Sequence, residues 1–206
     1  MARNENPPFA RGETYYNGET IDTNNLGGLN LEGAEWVFED DHASTGVART
    51  RGRPVRCRCV RNSSGINLLP KRLAKFELGA LEFGSRCDGY AIQTAANTPE
   101  QGYPIDEYLP TAGVPTNDLF WIVIEGPATV LTSIADMATD LAIGEWAVAC
   151  TAATSQATTA GRIVPQIATG LTVPGFYNQL NKVGRALSGA ITTTTAAAVV
   201  LDVGKW

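Results

Sequence analysis

The run Leu119-Phe120-Trp121-Ile122-Val123-Ile124 limits the fold more than any other stretch of the chain. Asn117-Asp118 precede it and Gly126-Pro127 follow, so turn signals bound it on both sides. β-Branched and aromatic side chains favour extended backbone, and the run is too short for a buried helix. It therefore reads as a strand buried on both faces. Aromatics make up only 8% of the 206 residues, so two side by side mark a packing centre. One face must meet the domain's own core. The other must meet either the chain's own loops or a neighbouring subunit.

Short apolar runs recur after it: "GPATVLT", "LAIGEWAVAC", "AGRIVPQIA", "KVGRALSG" and "AAAVVLDVGKW". Gly, Thr, Ser or Asn separate them at intervals of roughly ten to twenty residues, the spacing of a barrel or sandwich. Upstream, Val55, Cys57 and Cys59 alternate with Arg56 and Arg58, the period of a half-buried strand. Leu68, Leu69, Leu73 and Phe76 continue the apolar pattern, and a further short strand is expected at 90–93. Residues 99–118 read as a proline-rich loop. Leu131, Ile134, Ala138 and Leu141 fall at helical spacing, which leaves room for one helix there. The whole predicts an all-β fold, a small β-barrel or β-sandwich, over residues 51–206.

Residues 1–50 read differently, as an extended and largely irregular N-terminal arm. Segments such as "YYNGET", "DTNNLGGLNLEG" and "EDDHAST" are acidic, turn-rich and without periodicity. Yet Tyr15, Tyr16, Trp36 and Phe38 are spread through them, and solvated linkers rarely carry such groups. Either the arm is ordered by lying on a partner, or it meanders over its own domain. On the first alternative these four aromatics are partner contacts. Truncating Trp36 and Phe38 would then spare folding and weaken retention. Arg56 and Arg58 join them as candidates, because a planar guanidinium fork suits carboxylates at protein interfaces.

Charge and cysteine usage exclude several function classes. Lys and Arg number 16 against 21 Asp and Glu, a net charge of -5 with a pI near 4.9. Nucleic acid as the main partner would need a basic surface. No run approaches the ~18 apolar residues of a membrane helix, so no membrane is expected. The opening "MARNENPPFARGE" has no apolar signal region, and synthesis in the cytoplasm is expected. Cys57 and Cys59 share a strand face, poor geometry for bonding to each other. With a single His and no C-x2-C spacing, Cys57, Cys59, Cys87 and Cys150 are expected to be buried thiols. No metal and no cofactor are implied.

The residues needed for catalysis do not assemble in the sequence. His42 sits in the acidic arm, and no G-x-S-x-G elbow or phosphate-cradling glycine loop accompanies it. Asp106-Glu107 lie in a loop, while Asp118 and Glu125 would fall on opposite faces of a regular strand. The chain is therefore expected not to be an enzyme.

The segments "RPVRCRCVRNSSGINLLPKRLAKF", "DEYLPTAGVPTNDLFWIVIEGPATV", "GEWAVACTAATSQATTAGRIV" and "NKVGRALSGAITTTTAAAVVLDV" resemble the decoration, or cement, proteins of tailed-bacteriophage heads. The resemblance spans about residues 53–203, leaves the arm outside, and includes the late element Val183-Gly184-Arg185-Ala186-Leu187. It implies a virion structural protein, a homotrimer, seated on the outer capsid surface and bridging neighbouring subunits of the major capsid protein. A glycan-binding surface module, adhesin-like or head-fibre-like, is the alternative. Tyr103, Tyr108 and Tyr177 would serve it.

Overall fold

The computed structural model of the chain describes residues 9–16, 31–39, 53–77, 84–92, 101–133, 140–150, 160–165, 182–188 and 197–204. These form eleven strands and, among the described residues, no α-helix. The N-terminal region holds β1 (Tyr15–Tyr16) and β2 (Glu35–Glu39). The middle holds β3 (Pro54–Asn62), β4 (Leu73–Phe76), β5 (Arg86–Tyr90), β6 (Tyr103–Pro104) and β7 (Asp118–Leu131). The remainder is β8 (Trp146–Ala149), β9 (Ile163–Pro165), β10 (Gly184–Ala186) and β11 (Ala198–Val203). The all-β expectation holds. The apolar runs after Gly126 become the end of β7 and strands β8 to β11.

One hydrogen-bonded network joins all the strands in the order β6-β4-β5-β3-β7-β11-β10-β8-β9, with β1 added to β7 and β2 to β3. Pairing is antiparallel except for a short parallel contact between β3 and β5. A bridge between Ile105, just past β6, and Ile122 of β7 brings that end of the network back onto β7. The first half of the sheet thus curls on itself like a small barrel. β5 lies slightly before the expected strand at 90–93. Of the helically spaced residues, Leu131 instead ends β7, while 134 and 138 lie outside the described residues.

Strand β7 is 14 residues long and divides its side chains between two cores. Leu119, Trp121 and Val123 enter the larger core with Cys57, Cys59 and the apolar faces of β8, β9 and β11. Phe120 and Ile122 enter the second with Val60, Phe76, Cys87 and Tyr90, inside the curled half. Cross-strand register accounts for this, since Cys59 lies opposite Trp121 and Val60 opposite Phe120. Directly opposed residues share a face. Both faces of the apolar run are covered by the chain itself.

Between the halves β7 changes direction. The register with β3 slips between Arg56 and Cys57, a bulge that leaves Ile124 without an opposite residue. Gly126 follows with φ of 99°, and a Cβ there would lie 2.5 Å from the Pro54 carbonyl oxygen. Pro127, unable to donate to a ladder, sits beside this kink rather than in the regular part of the strand. Gly126→Ala is therefore expected to cost at least ~2 kcal/mol through left-handed backbone and overpacking together. Thermal unfolding should show the melting temperature falling by at least ~4 °C for a chain of this size. No change would mean that the kink is not held as described.

Candidate functional site

The N-terminal region is stitched into the body where the structure describes it. β1 pairs with the start of β7, Tyr15 opposite Leu119 and Tyr16 opposite Asp118. Phe9 stacks on Trp121 at 5.0 Å between ring centroids, and the Trp121 indole Nε1 donates to the Phe9 carbonyl at 3.1 Å. Phe38 of β2 meets Trp121 edge-on at 5.2 Å. Trp121 is thus enclosed by two aromatics from residues 1–50 and by its own core.

Beside this cluster Arg11 forms a buried ion pair with Asp106, which also accepts the Tyr108 backbone N–H at 3.1 Å. The Arg11 guanidinium lies over the Tyr108 ring, 5.2 Å from its centroid. Complete burial pushes the Asp106 carboxyl up to about 6, a rise that Arg11 and the Tyr108 N–H only partly offset. Gly12 lets the two backbones touch, since a Cβ there would lie 2.8 Å from the Tyr108 carbonyl oxygen. Arg11 and Asp106 escaped the sequence reading because they are 95 residues apart and nothing in the local pattern of either announces the other.

Of the aromatic candidates, Trp36 and Phe38 are half-buried against the larger core. Tyr15 keeps 41% of its surface exposed and Val37 59%. Tyr16 lies in β1, and its side chain is outside the described part, as are His42 and Tyr177. Residues 9–16 and 31–39 lie on the chain's own sheet, through the β1–β7 and β2–β3 pairings. Truncating Trp36 and Phe38 is consequently expected to lower stability, contrary to the expectation from composition.

The arginines of β3 meet carboxylates, and those carboxylates come from the same chain. Glu35 receives Arg56 and Arg58 together, with Arg58 Nε at 3.1 Å. Arg56 also reaches Glu125 at 3.7 Å, and Arg53 reaches Asp202 at 2.9 Å. Glu32 pairs with Arg61 and, at 3.3 Å, with Arg86. The hydrogen bond from Arg58, more than any other influence, draws the Glu35 carboxyl below its ordinary range. Antiparallel pairing explains the match, since β2 runs beside β3 with Glu35 opposite Arg58. Glu32 and Glu35 were missed because an acidic arm reads as solvated until its register with β3 is known.

The pairs that Arg56 and Arg58 make with Glu35 and Glu125 wall a cleft of about 260 Å³ at the seam between the two halves of the sheet. Glu35, Arg56, Arg58, Glu125, Lys182 and the half-buried Tyr103 line it. The Tyr103 ring packs against Phe76 at 4.3 Å, which fixes its orientation. The cleft combines a braced aromatic wall with guanidinium donors and carboxylate acceptors.

Cys57, Cys59, Cys87 and Cys150 are all buried. Burial raises the thiols of Cys57 and Cys87 far above their usual range and Cys59 to about 12, so they pack as small apolar groups. Among the described residues no group of three or more His, Cys, Asp and Glu is placed to hold a metal ion. No helix among them is long and apolar enough to cross a membrane.

No protein-family model matches the sequence, and no curated protein matches it. Among solved structures the chain is similar to the N base of the head fibre protein gp8.5 of bacteriophage phi29. The TM-score is 0.37 at 15% identity, over 71% of this chain and 92% of that one. A superposition of that extent says nothing about what this chain binds.

Proposed function

We propose that the protein is a structural component of a phage virion, one that binds the outer surface of the capsid and bridges neighbouring capsid subunits. The sequence resemblance points to this class, and one structural observation carries it. Strand β7 runs through both cores while β1, β3 and β11 hydrogen-bond to it, so N-terminal, central and C-terminal segments are tied to one strand. A body built this way spreads a pull on any of these segments over two cores. Such a body suits a bridging role. Several contacts of about 800 Å² per partner, multiplied by oligomer formation as a homotrimer, would add to the work of separating capsid subunits.

Purified protein should co-sediment with empty heads that lack it, and reach a fixed stoichiometry. Free protein should sediment as a trimer in ultracentrifugation. Failure to bind heads at micromolar concentration would remove the reading; a monomer that still bound would remove only the trimer. The second reading, a surface module that binds glycans, is favoured by the cleft with its aromatic wall.

A further inference from the structure

We propose that the cleft between β2, β3, β6 and β7 is a binding site for a neutral saccharide, engaging one pyranose ring at a time. The inference rests on the second reading above and names its site and ligand chemistry. Size comes first. At about 260 Å³ the cleft lies just under the ~300–1,000 Å³ of sites for drug-sized ligands, so it suits a single ring.

Charge decides between ligand classes. Arg56 and Arg58 are already bound to Glu35, and Arg56 also reaches Glu125. An anionic ligand would have to displace these carboxylates or draw the Lys182 ammonium away from the Trp146 ring, over which it lies at 4.6 Å, and a cationic one would have to displace the guanidinium groups. Hydroxyls need displace neither. A guanidinium has five N–H donors and a carboxylate about four lone-pair sites, so each paired group keeps capacity facing the cleft. Vicinal hydroxyls can accept from Arg56 while donating to Glu35 or Glu125. Each would then exchange water for a charge-assisted hydrogen bond.

Tyr103 supplies the other half of the recognition. Its ring is half-buried, lines the cleft and is braced by Phe76, so it presents an ordered apolar surface to the C–H face of a sugar. The polar groups stand on strands rather than loops. Glu35, Arg56 and Arg58 are held by the β2–β3 pairing, and Glu125 by the bulged end of the β3–β7 ladder. Glu35 and Arg58 are mostly covered and lose little side-chain entropy on binding, whereas Arg56 and Glu125 keep 49% and 61% of their side-chain surface exposed and are ordered further by the ligand. Glu35 arrives by way of the N-terminal region, so the site is complete only when β2 is docked on β3.

The test uses the full chain with a panel of neutral methyl pyranosides, maltotriose, cellotriose and chitotriose, together with glucuronic acid as the charged probe. Saturation-transfer NMR reports contact, and titration of amide shifts reports affinity. At least one neutral saccharide is expected to saturate the protein, with affinity changing less than about twofold between ~50 and ~500 mM salt. Tyr103→Ala and Arg56→Ala should each weaken it about tenfold or more while the melting temperature shows the fold intact. Tyr103→Phe, which keeps the ring, should retain binding even if Tyr103→Ala fails to fold. Arg185→Ala, outside the cleft, should leave it unchanged. If saccharide binds but neither cleft variant affects it, the cleft assignment falls and the surface-module reading stands. If no neutral saccharide on the panel binds, both fall. Binding of glucuronic acid alone, with steep salt dependence, overturns the neutral-ligand assignment.

Discussion

Trp121→Ala should cost about 3–5 kcal/mol, as removal of a fully buried Trp does elsewhere. For a chain of this size that lowers the melting temperature by roughly 6–20 °C. The cause is specific. Trp121 is completely buried, stacks on Phe9, meets Phe38 edge-on and donates its indole N–H to the Phe9 carbonyl. Losing it opens a cavity and removes the surface on which residues 9–16 rest. Phe38→Ala should follow in the same direction with a smaller effect. Limited proteolysis supplies the second readout, because a loosened N-terminal segment is cut before the body unfolds. A Trp121→Ala protein with unchanged melting temperature and unchanged cleavage would show that the N-terminal region does not dock there.

Removing the Asp106 carboxylate should be nearly as damaging. Asp106→Ala leaves the buried Arg11 guanidinium without its counter-charge, a change that typically costs about 3–5 kcal/mol. A pH signature separates this from simple loss of packing. The Asp106 carboxyl is raised in the folded protein to about 6, above its ordinary value of 3.8. A raised carboxyl contributes stability that is fully present below its unfolded pKa and lost as pH rises through the folded one. The wild-type protein should therefore gain stability relative to Asp106→Ala as pH falls from 7 toward 4. Glu35 acts oppositely, since its lowered carboxyl contributes above its unfolded pKa and loses that contribution at lower pH. That term is common to both proteins and cancels in their difference. Urea unfolding at several pH values measures it. A difference that shrinks toward acid would mean that Arg11, not burial, governs Asp106.

What was legible in the sequence depended on whether the physics was local. The two-sided burial of Leu119–Ile124 and the alternation of Val55, Cys57 and Cys59 follow from side-chain period alone, and the folded strands reproduce both. The later runs became strands because apolar stretches between turn residues have few other ways to bury themselves. What covers the aromatics of residues 1–50 was not legible. Phe9 and Phe38 find Trp121 only through pairings of distant register, and Arg11 finds Asp106 across 95 residues. An arginine row announces a need for carboxylates but not whose. Glu32 and Glu35 answer it because β2 lies antiparallel on β3. The cleft was equally hidden, since its walls come from strands far apart in the chain. Of its lining, the sequence marks only Tyr103 for a glycan-binding role, and Arg56 and Arg58 for a protein partner.

The direct test of capsid bridging is the thermal stability of the heads themselves. Empty heads lacking the protein are melted by scanning calorimetry with and without saturating wild-type protein. The account predicts that the protein raises the head transition by several degrees, and that Trp121→Ala protein, with its N-terminal segment loosened, raises it less. Heads that bind the protein at full stoichiometry yet melt at an unchanged temperature would contradict it.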